Sequence, residues 1–377
     1  MLRITSDEGE LLDLVVEEVL KRVKKTPLHL HVAKYATGLD EKVQHFENEF
    51  LLQQQGQSGK PPVLGIVGLG GLGKTTLAKE LFNRKSSQYN RSCFLSDVRE
   101  NAGKGTLISL QRKLLKSLTG SDPEIDCIDQ GMEMLKQTLS SCHALIVVDD
   151  VDQVDQIDSL LPDQTVIPSD SLILITSRYK DILTSSGIEN SSIYKLTGLN
   201  EQQSRELFCF HAFKQPYPLS QFESFVHKFL DACKGLPLSL KVFGALVCGR
   251  KNESFWEDQL DKLQRILPTE IKQRLQISYE ALDKEEREIF LDVACFFIGE
   301  KRDMAVKIWE GCKWKGFQNL EDRCLVEVDS ENVIHMHDHL RDLGRDIAKA
   351  PGLVCGIDKL DELLQPSSVS AKSFKFL

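Results

Sequence analysis

The chain has 377 residues, of which 41% are hydrophobic and 27% charged, with a net charge of −9 at pH 7. This length exceeds what one compact core supports and predicts two or three domains. The acidic balance argues against a general nucleic-acid binder, and we expect no nucleic-acid partner. The apolar runs are too short for a membrane-spanning helix, and the N-terminus has no signal-peptide core.

Ten cysteines are scattered between Cys93 and Cys355 without a CxxC pair. Several lie in apolar runs such as "VACFF", which indicates buried free thiols rather than disulfides or zinc ligands. Such thiols persist in reducing compartments, so the cysteine usage predicts an intracellular protein. We expect a cytoplasmic location, with a nucleo-cytoplasmic one as the alternative.

The first helical pattern covers residues 6 to 25, and Thr5 with Glu8 is suited to a capping box at its start. This helix either packs on its own domain or offers a surface to another chain. A second helix is predicted from Leu39 to Phe50, because its apolar residues follow helical spacing. The segment "QQQGQSGKPP" then predicts a loop.

Short apolar runs and helical patterns alternate in the next part of the chain. The predicted strands are "PVLGIVG", "SCFLSDV", "HALIVVDD" and "SLILITSR", and the helices between them include "GKTTLAKELFNRK", "TLISLQRKLLKSL" and "GMEMLKQTLS". Continuous apolar strands alternating with helices are typical of a parallel sheet covered on both faces.

From about Leu199 the pattern is almost wholly helical. A further helical segment begins near Glu270 and ends in "CLVEVDSENVIHMH", two β-rich runs around a polar turn. Helices followed by a hairpin predict a winged-helix unit. The predicted fold is therefore an α/β domain with a parallel sheet, followed by a helical domain and a winged-helix domain.

The segment "GLGGLGKTT", residues 68 to 76, matches the phosphate-loop pattern between a predicted strand and a predicted helix. We therefore expect a P-loop NTPase domain that binds a nucleotide with Mg²⁺. Lys74 would reach the β- and γ-phosphates, and the Thr75 hydroxyl would hold Mg²⁺. The residues expected to bind phosphate through the loop and the first helical turn are Gly68, Gly70, Gly71, Gly73, Lys74, Thr75 and Thr76.

The segment "ALIVVDDVD" places two acids after a buried apolar strand, where the carboxyl end of a parallel strand faces a ligand crevice. Asp149 is expected to bind Mg²⁺ and Asp150 to orient the attacking water. Two acids that begin a surface turn are the alternative. Arg178, after "LILITS", is either a cation that reaches the γ-phosphate or a solvated arginine.

The motifs "GLGGLGKTT", "FLSDVRE", "LIVVDDVD", "ILITSR", "YKLTGLNEQQSRELF", "GLPLSLKV", "FLDVACFF" and "MHDHLRDLG" occur in an order that resembles the NB-ARC region of plant disease-resistance receptors. These receptors belong to the STAND class of P-loop switch ATPases. The resemblance covers about residues 35 to 350. Asp152 and "FLDVACFF" resemble the subclass with an N-terminal TIR module. We expect a truncated member or a fragment, without TIR and leucine-rich-repeat modules.

The resemblance implies ADP in a resting state and ATP in an active state, with slow hydrolysis as a reset. It implies that Gly38 and Leu39 contact adenine, and that Pro237 covers the adenine and ribose. It implies that His337 contacts the β-phosphate of ADP and that Arg178 senses the γ-phosphate. Other receptor chains, or further copies of this chain, are the implied protein partners.

The expected domains are an N-terminal helix and linker (1–36), the P-loop domain (37–197), a helical domain (198–268), the winged-helix domain (269–350) and a C-terminal tail (351–377).

Three alternating histidines, His335, His337 and His339, raise the alternative of a metal site on a strand. A zinc site would lack further ligands there. Asp338 is also expected to be the N-cap of the helix that follows, which would turn His339 away. His337 is therefore interpreted as a hydrogen-bond donor to the phosphate of ADP rather than as a metal ligand.

Three rival functions remain open. A catalytic P-loop kinase would need a substrate pocket, which the sequence does not suggest. A DNA-binding winged helix would read DNA through residues 316 to 323, where Glu321 and Asp322 oppose Arg323. A truncated adaptor or decoy would bind ADP and associate with full-length receptors.

Overall fold

The computed structural model describes residues 29–51, 63–102, 107–264, 271–309 and 314–349. The expected helix at 6–25, the expected loop at 53–62 and the expected tail lie outside these residues. The chain divides into two compact units between Thr197 and Gly198. Each unit is described by itself.

The first unit is built on a parallel sheet of five strands, in the order β2-β3-β4-β1-β5. The strands are β1 (Val63–Val67), β2 (Arg91–Leu95), β3 (Ala144–Val151), β4 (Leu172–Ser177) and β5 (Ile193–Lys195). β1, β3 and β4 are buried along their whole length. Continuous valine, leucine and isoleucine runs suit such strands because both faces are covered.

Helices cover both faces of this sheet. They are α1 (Leu39–Phe46), α2 (Lys74–Lys85), α3 (Val98–Ala102), α4 (Leu107–Thr119), α5 (Ile128–Leu139), α6 (Val154–Leu160) and α7 (Lys180–Ser185). One apolar cluster packs α4 and α5 against the sheet, and a second cluster packs α1 and α2 against its other face. A π-helical turn, Glu47–Leu51, follows α1 and keeps Phe50 buried. The predicted α/β domain is confirmed.

Two local expectations for this unit need correction. The predicted strand "SCFLSDV" ends at Leu95, because Asp97 has a φ of 52° and helix α3 begins at Val98. A left-handed residue turns the backbone out of the extended path. Sequence analysis also gave no strand at Ile193–Lys195, whose three residues are too few for a periodic signal.

The second unit is mainly helical. Its helices are α8 (Glu201–Phe213), α9 (Glu223–Cys233), α10 (Pro237–Val247), α11 (Glu253–Gln264), α12 (Ile271–Glu280), α13 (Lys284–Asp292), α14 (Arg302–Ile308), α15 (Trp314–Asp322) and α16 (Asp338–Ala348). Trp256 on α11 is buried and stacks on Phe222 with ring centroids 4.6 Å apart. Its indole N–H donates to the Arg250 carbonyl at 2.9 Å, so this large ring is buried without an unsatisfied donor.

A short antiparallel hairpin lies between α15 and α16. It pairs β6 (Glu327–Val328) with β7 (Ile334–His335). The Asp329 carboxylate accepts backbone N–H groups of Glu331 and Val333 and fixes the turn. The predicted hairpin and winged-helix region are confirmed. Among the described helices, none is long and apolar enough to cross a membrane.

Candidate functional site

The loop from Gly68 to Gly73 joins the buried strand β1 to helix α2. Gly73 has a φ of 93°, a left-handed conformation that strains any residue with a Cβ. At Gly68 a Cβ would lie 3.1 Å from the Leu196 carbonyl oxygen and 2.9 Å from the Leu72 side chain. The loop therefore needs glycine for the turn at one end and for close backbone approach at the other.

Helix α2 begins without a side-chain cap from any described residue. The N–H groups of a first helical turn have no intrahelical acceptor and carry the positive end of the helix dipole. Lys74 is buried at this end, and its Nζ donates to the Gly68 and Leu69 carbonyls at 2.8 and 3.1 Å. The arrangement concentrates N–H donors and a cation in one place, which suits an oxyanion.

Asp149 lies on strand β3, which β4 separates from β1, and is almost fully buried. The Thr75 hydroxyl is 3.0 Å from each of its carboxylate oxygens, and the Thr176 hydroxyl donates to Oδ1 at 2.6 Å. Burial raises the pKa of the Asp149 carboxyl to about 7, helped by the charges of Asp97 and Asp150 and opposed by the two threonine hydroxyls. A carboxylate so desolvated is stabilised by any cation that binds it.

Asp150 sits in a bulge of the same strand. Val148 pairs with Ile175 and Val151 with Ser177, so two acids of β3 face Thr176 alone. Asp150 has a φ of 57°, and its backbone N–H donates to the Thr176 hydroxyl at 2.9 Å. The bulge is the local reason that the Asp149 carboxylate and the Asp150 backbone N–H both contact the Thr176 hydroxyl.

Two arginines contact the Asp150 carboxylate. Arg99 Nε donates to Oδ2 at 2.8 Å, and Arg178 Nε lies 3.4 Å from Oδ1. The side chains of Arg99, Arg178 and Asp150 are only 21%, 16% and 12% exposed. The alternative interpretations, two acids in a surface turn and a solvated arginine, are therefore wrong.

Gly38 is the N-cap of α1 and has a φ of 71°, which favours glycine at this position. Leu39 is the first residue of the helix and is buried. Lys42, one turn further, donates from Nζ to the Thr197 carbonyl at 3.0 Å. The predicted adenine contacts of Gly38 and Leu39 are untested by these contacts and stay predictions.

Pro237 and His337 belong to the second unit. Pro237 is the first residue of α10, where a proline loses no helical hydrogen bond. Just before it, Gly235 has a φ of 71°, and its carbonyl accepts the Leu199 N–H at 2.8 Å. The predicted contact of Pro237 with adenine and ribose stays a prediction.

His337 is the N-cap of helix α16, and its Nδ1 accepts the backbone N–H of His339 at 3.2 Å. The expectation that Asp338 caps this helix is wrong, because Asp338 is already helical. An imidazole nitrogen that accepts a hydrogen bond carries no proton, so the neutral His337 ring has its proton on Nε2. That nitrogen is a donor, which is what a phosphate contact requires.

The other two histidines have local partners. His335 Nε2 lies 2.8 Å from the Asp329 carboxylate. The rings of His337 and His339 stack with centroids 5.6 Å apart. No three of the His, Cys, Asp and Glu residues within the described ranges form a group able to hold a metal ion.

The structure brings together Lys74, Thr75, Asp149, Asp150 and Arg178, which follow three different strands of one sheet. Sequence analysis missed Thr176 and Arg99. Thr176 precedes Arg178 by two residues in "LILITSR", so its position at the same sheet edge was a usable signal. Arg99 lies in the quoted motif "FLSDVRE". The strand predicted there was too long, and it covered the residues that form the short helix α3 and carry Arg99 to the sheet edge.

A glycine-rich loop between a central strand and a helix, opposite an acid on the next strand but one, defines a P-loop NTPase. A solved structure with this fold is a STAND ATPase with a tetratricopeptide repeat sensor from Pyrococcus horikoshii. It matches with a TM-score of 0.53 and 17% identity, over 85% of this chain and 44% of that one. The likeness shows the fold alone.

The sequence profile of the NB-ARC domain matches residues 41–217. The profile of the Roq1-like winged-helix domain of disease resistance proteins matches residues 283–351. The chain therefore belongs to the NB-ARC disease-resistance family.

Curated relatives agree with this assignment. Disease resistance protein RUN1 of Vitis rotundifolia is 34% identical over 91% of this chain, and RPV1 of the same species is 35% identical over 85%. TMV resistance protein N of Nicotiana glutinosa is 31% identical over 92% of the chain. The chain spans 25%, 23% and 30% of the length of these three relatives.

Proposed function

We propose that this chain is an adenine-nucleotide switch of plant innate immune signalling, of the TIR subclass. ADP binding favours a closed resting state, ATP binding favours an open state, and slow hydrolysis resets the switch. Association with other receptor chains or with further copies of this chain follows activation, in the cytoplasm. The domain boundaries given above are part of this proposal.

The observation that carries the proposal is the set of contacts at the start of α2. Lys74 is buried beside an uncapped helix N-terminus, and the Thr75 hydroxyl lies 3.0 Å from the Asp149 carboxylate. Donors for phosphate and oxygen ligands for a cation therefore meet in one small region. A nucleotide diphosphate or triphosphate carries both of the groups that this region is suited to bind.

Mg²⁺ fits the oxygen donors that are present. A hydroxyl and a carboxylate are ligands that Mg²⁺ accepts in nucleotide sites, and a cation would stabilise the ionised Asp149 carboxyl, whose pKa is raised to about 7 by burial. We propose that Thr75 and Asp149 hold the ion, Asp149 through a water. When bound, Mg²⁺ neutralises phosphate charge and orders the phosphate oxygens.

The residues outside this region have proposed roles in nucleotide identity and state. Gly38, Leu39 and Pro237 recognise adenine and ribose, Arg178 senses the γ-phosphate, and Asp150 orients the attacking water. His337 donates from Nε2 to the β-phosphate of ADP. The tautomer fixed by the His339 N–H supports a donor role for this ring.

A ligand shifts a conformational equilibrium only by the difference in its affinity for the two states. A charge-assisted hydrogen bond present in one state alone contributes about 1.5 to 3 kcal/mol. This amounts to about one to two decades of population, which is enough to bias a switch. His337 is proposed to supply that difference for ADP.

Mass spectrometry of the nucleotide released from purified protein tests the proposal. ADP in near-stoichiometric amount is expected for a resting switch. Asp338→Val is expected to lower retained ADP or raise the ATP fraction, while exposed Asp346 changed to Asn is a control on the same helix. Purified, folded protein that neither retains nor rebinds adenine nucleotide would contradict the switch and indicate a degenerate relative.

A further inference from the structure

The carboxyl end of strand β4 carries two consecutive hydroxyl residues, Thr176 and Ser177, and both are fully buried. The Thr176 hydroxyl contacts the two acids of β3. Ser177 has no role in the function proposed so far. Two residues, Arg178 and Tyr179, then join β4 to helix α7. Ser177 therefore lies next to the arginine that is proposed to sense the γ-phosphate.

The Ser177 hydroxyl makes two hydrogen bonds that hold the backbone around Arg178. It accepts the backbone N–H of Tyr179 at 3.1 Å, and this contact closes a turn around the residue between them. The Tyr179 side chain is 52% exposed, so its burial does not anchor this turn. The hydroxyl also donates to the Val151 carbonyl of β3 at 2.7 Å. The turn that carries Arg178 is therefore tied to the strand that carries Asp150.

This tie is made where β3 and β4 resume their pairing after the bulge. The register of the two strands shifts between Val148 and Val151, and Val151 pairs with Ser177. The Ser177 hydroxyl joins the strands at this same pair. On the far side of the tie, Arg178 Nε lies 3.4 Å from Asp150 Oδ1. One hydroxyl thus helps to set the position of Arg178 relative to this carboxylate.

We propose that Ser177 is a positioning residue that favours ATP over ADP by holding Arg178 in place for the γ-phosphate. A long arginine side chain loses rotamer freedom when it binds an oxyanion. Fixing its backbone before the nucleotide binds reduces that loss. ADP has no γ-phosphate, so ADP binding gains nothing from this arrangement. The role of Ser177 rests on the γ-phosphate sensing proposed for Arg178 and deepens it.

Equilibrium binding of ADP and of a non-hydrolysable ATP analogue, with Mg²⁺ held constant, tests this role without hydrolysis. Ser177→Ala is expected to lower the ratio of ATP-analogue affinity to ADP affinity about 3- to 10-fold, the usual effect of one lost hydrogen bond. ADP affinity itself should stay within about 2-fold, because ADP lacks the γ-phosphate. Ser177→Thr keeps the hydroxyl and should restore most of the ratio.

The matched control is Ser171→Ala. Ser171 is also buried, and its hydroxyl donates to the Cys142 carbonyl at 3.1 Å and accepts the Ala144 N–H at 3.2 Å. It joins the segments that lead into the same two strands, about 20 Å from Ser177 at the usual rise per residue. Both alanine variants should lower the thermal unfolding temperature, but only Ser177→Ala should change the affinity ratio.

A double-mutant cycle with Arg178→Gln tests whether Ser177 acts through this arginine. Arg178→Gln alone should lower the ratio, and adding Ser177→Ala should cause no further fall. If Ser177→Ala does not fold, Ser177→Cys provides an independent variant. Its thiol is a weaker donor than the hydroxyl and should lower the ratio by a smaller factor.

The outcomes distinguish failure of this role from failure of the function on which it rests. Wild-type protein that binds neither nucleotide would overturn the proposed switch. An unchanged ratio in Arg178→Gln would overturn γ-phosphate sensing, and the role of Ser177 with it. A ratio lowered in Arg178→Gln but not in Ser177→Ala would overturn only the role of Ser177. Equal losses of both affinities in Ser177→Ala, or a further fall in the double variant, would also overturn it, because they indicate a structural role.

Discussion

Two helices begin at residues with predicted nucleotide contacts, and their first turns differ. Helix α2 follows Gly73 and receives no side-chain cap from the described residues, whereas α16 follows His337, whose own ring caps it. The first turn of α2 has no side-chain acceptor for its N–H groups among the described residues. The first turn of α16 uses one of them internally, and the ring nitrogen that stays available is a donor. A helix N-terminus offers its N–H groups to phosphate only where no side chain caps them, so α2 rather than α16 is the proposed phosphate site.

The residues around the start of α2 are also more deeply buried than those around the start of α16. Helix α2 follows a fully buried strand of a five-stranded sheet, and Lys74 and Asp149 are buried beside it. Helix α16 follows a hairpin with two residues in each strand, and His335 is half-exposed. We expect substitutions beside α2 to have larger effects than substitutions beside α16.

The largest effect is expected from Lys74→Ala. The variant removes the buried cation at the start of α2, and nucleotide affinity should fall at least about 100-fold, as for loss of a charged partner in a desolvated site. Isothermal titration calorimetry with ADP measures it. Lys79→Ala, on the same helix and half-exposed, is the matched control. Undiminished binding by Lys74→Ala would contradict the assignment of residues 68 to 76 as a phosphate loop. It would also contradict the proposed difference between the N-termini of α2 and α16.

Asp149 should give the pH dependence of the first unit. Its folded pKa of about 7 exceeds the ordinary value of 3.8, so the folded chain holds a proton that the unfolded chain has lost between these pH values. The free energy of unfolding therefore falls as pH rises from about 4 to about 7, by about 2 to 4 kcal/mol from this group. Below about pH 4 the carboxyl is protonated in both the folded and the unfolded chain, so it adds no further pH dependence to the free energy of unfolding.

Chemical denaturation of nucleotide-free wild type and Asp149→Asn, at pH 5 and pH 7.5, measures this effect. The asparagine variant should lose most of the decline and be the more stable protein at pH 7.5. Asp155→Asn, an exposed acid on α6, should retain the wild-type decline. Equal pH dependence in wild type and Asp149→Asn would show that the carboxylate is not desolvated as described.

A smaller effect is expected from His337→Ala. Loss of an N-cap destabilises a helix by about 1 kcal/mol, so the transition of the second unit should shift by that amount in denaturant. His337→Asn keeps a capping side chain and should restore stability. If His337 also contacts ADP, the asparagine variant should still lose ADP retention. Normal ADP retention in a stable His337→Asn protein would count against the predicted phosphate contact.

The smallest effect is expected from the ion pair that joins Lys241 on α10 to Glu327 on β6. Glu327 is half-exposed, and ion pairs with exposed partners contribute less than about 1 kcal/mol. Lys241→Gln should lower the free energy of unfolding by this amount at low salt and by less at 0.5 M salt. A loss of several kcal/mol would show that this ion pair stabilises the protein as much as the buried contacts beside α2, and would contradict the expected difference.

Much of the fold could be predicted from the chain because its signals are local and periodic. The runs "VLGIV", "ALIVV" and "LILIT" contain enough consecutive apolar residues to indicate buried parallel strands. The phosphate loop has fixed spacing, so Lys74 and Thr75 followed from the sequence, and the acid beyond "LIVV" led to Asp149. Strand β5 was not predicted, because its three residues are too few to show a hydrophobic periodicity.

The rest of the candidate site could not be predicted, because it depends on residues far apart in the chain. Arg99 follows β2, Arg178 follows β4 and Asp150 lies in β3, and sequence spacing does not show that both arginines contact this one carboxylate. The Thr176 hydroxyl accepts from one acid's backbone and donates to the other acid's side chain only because of the bulge in β3.

The sequence by itself determined the class of protein, since glycines, a lysine and a threonine at fixed spacing dictate a local backbone that binds phosphate. It also determined the order of strands and helices along the chain, because hydrophobic period is a local property. Only the tertiary structure decided the ionisation of Asp149 and the arginine pair at Asp150. Desolvation and ion pairing depend on which side chains the sheet brings together, and that proximity is set by strand order rather than by distance along the chain.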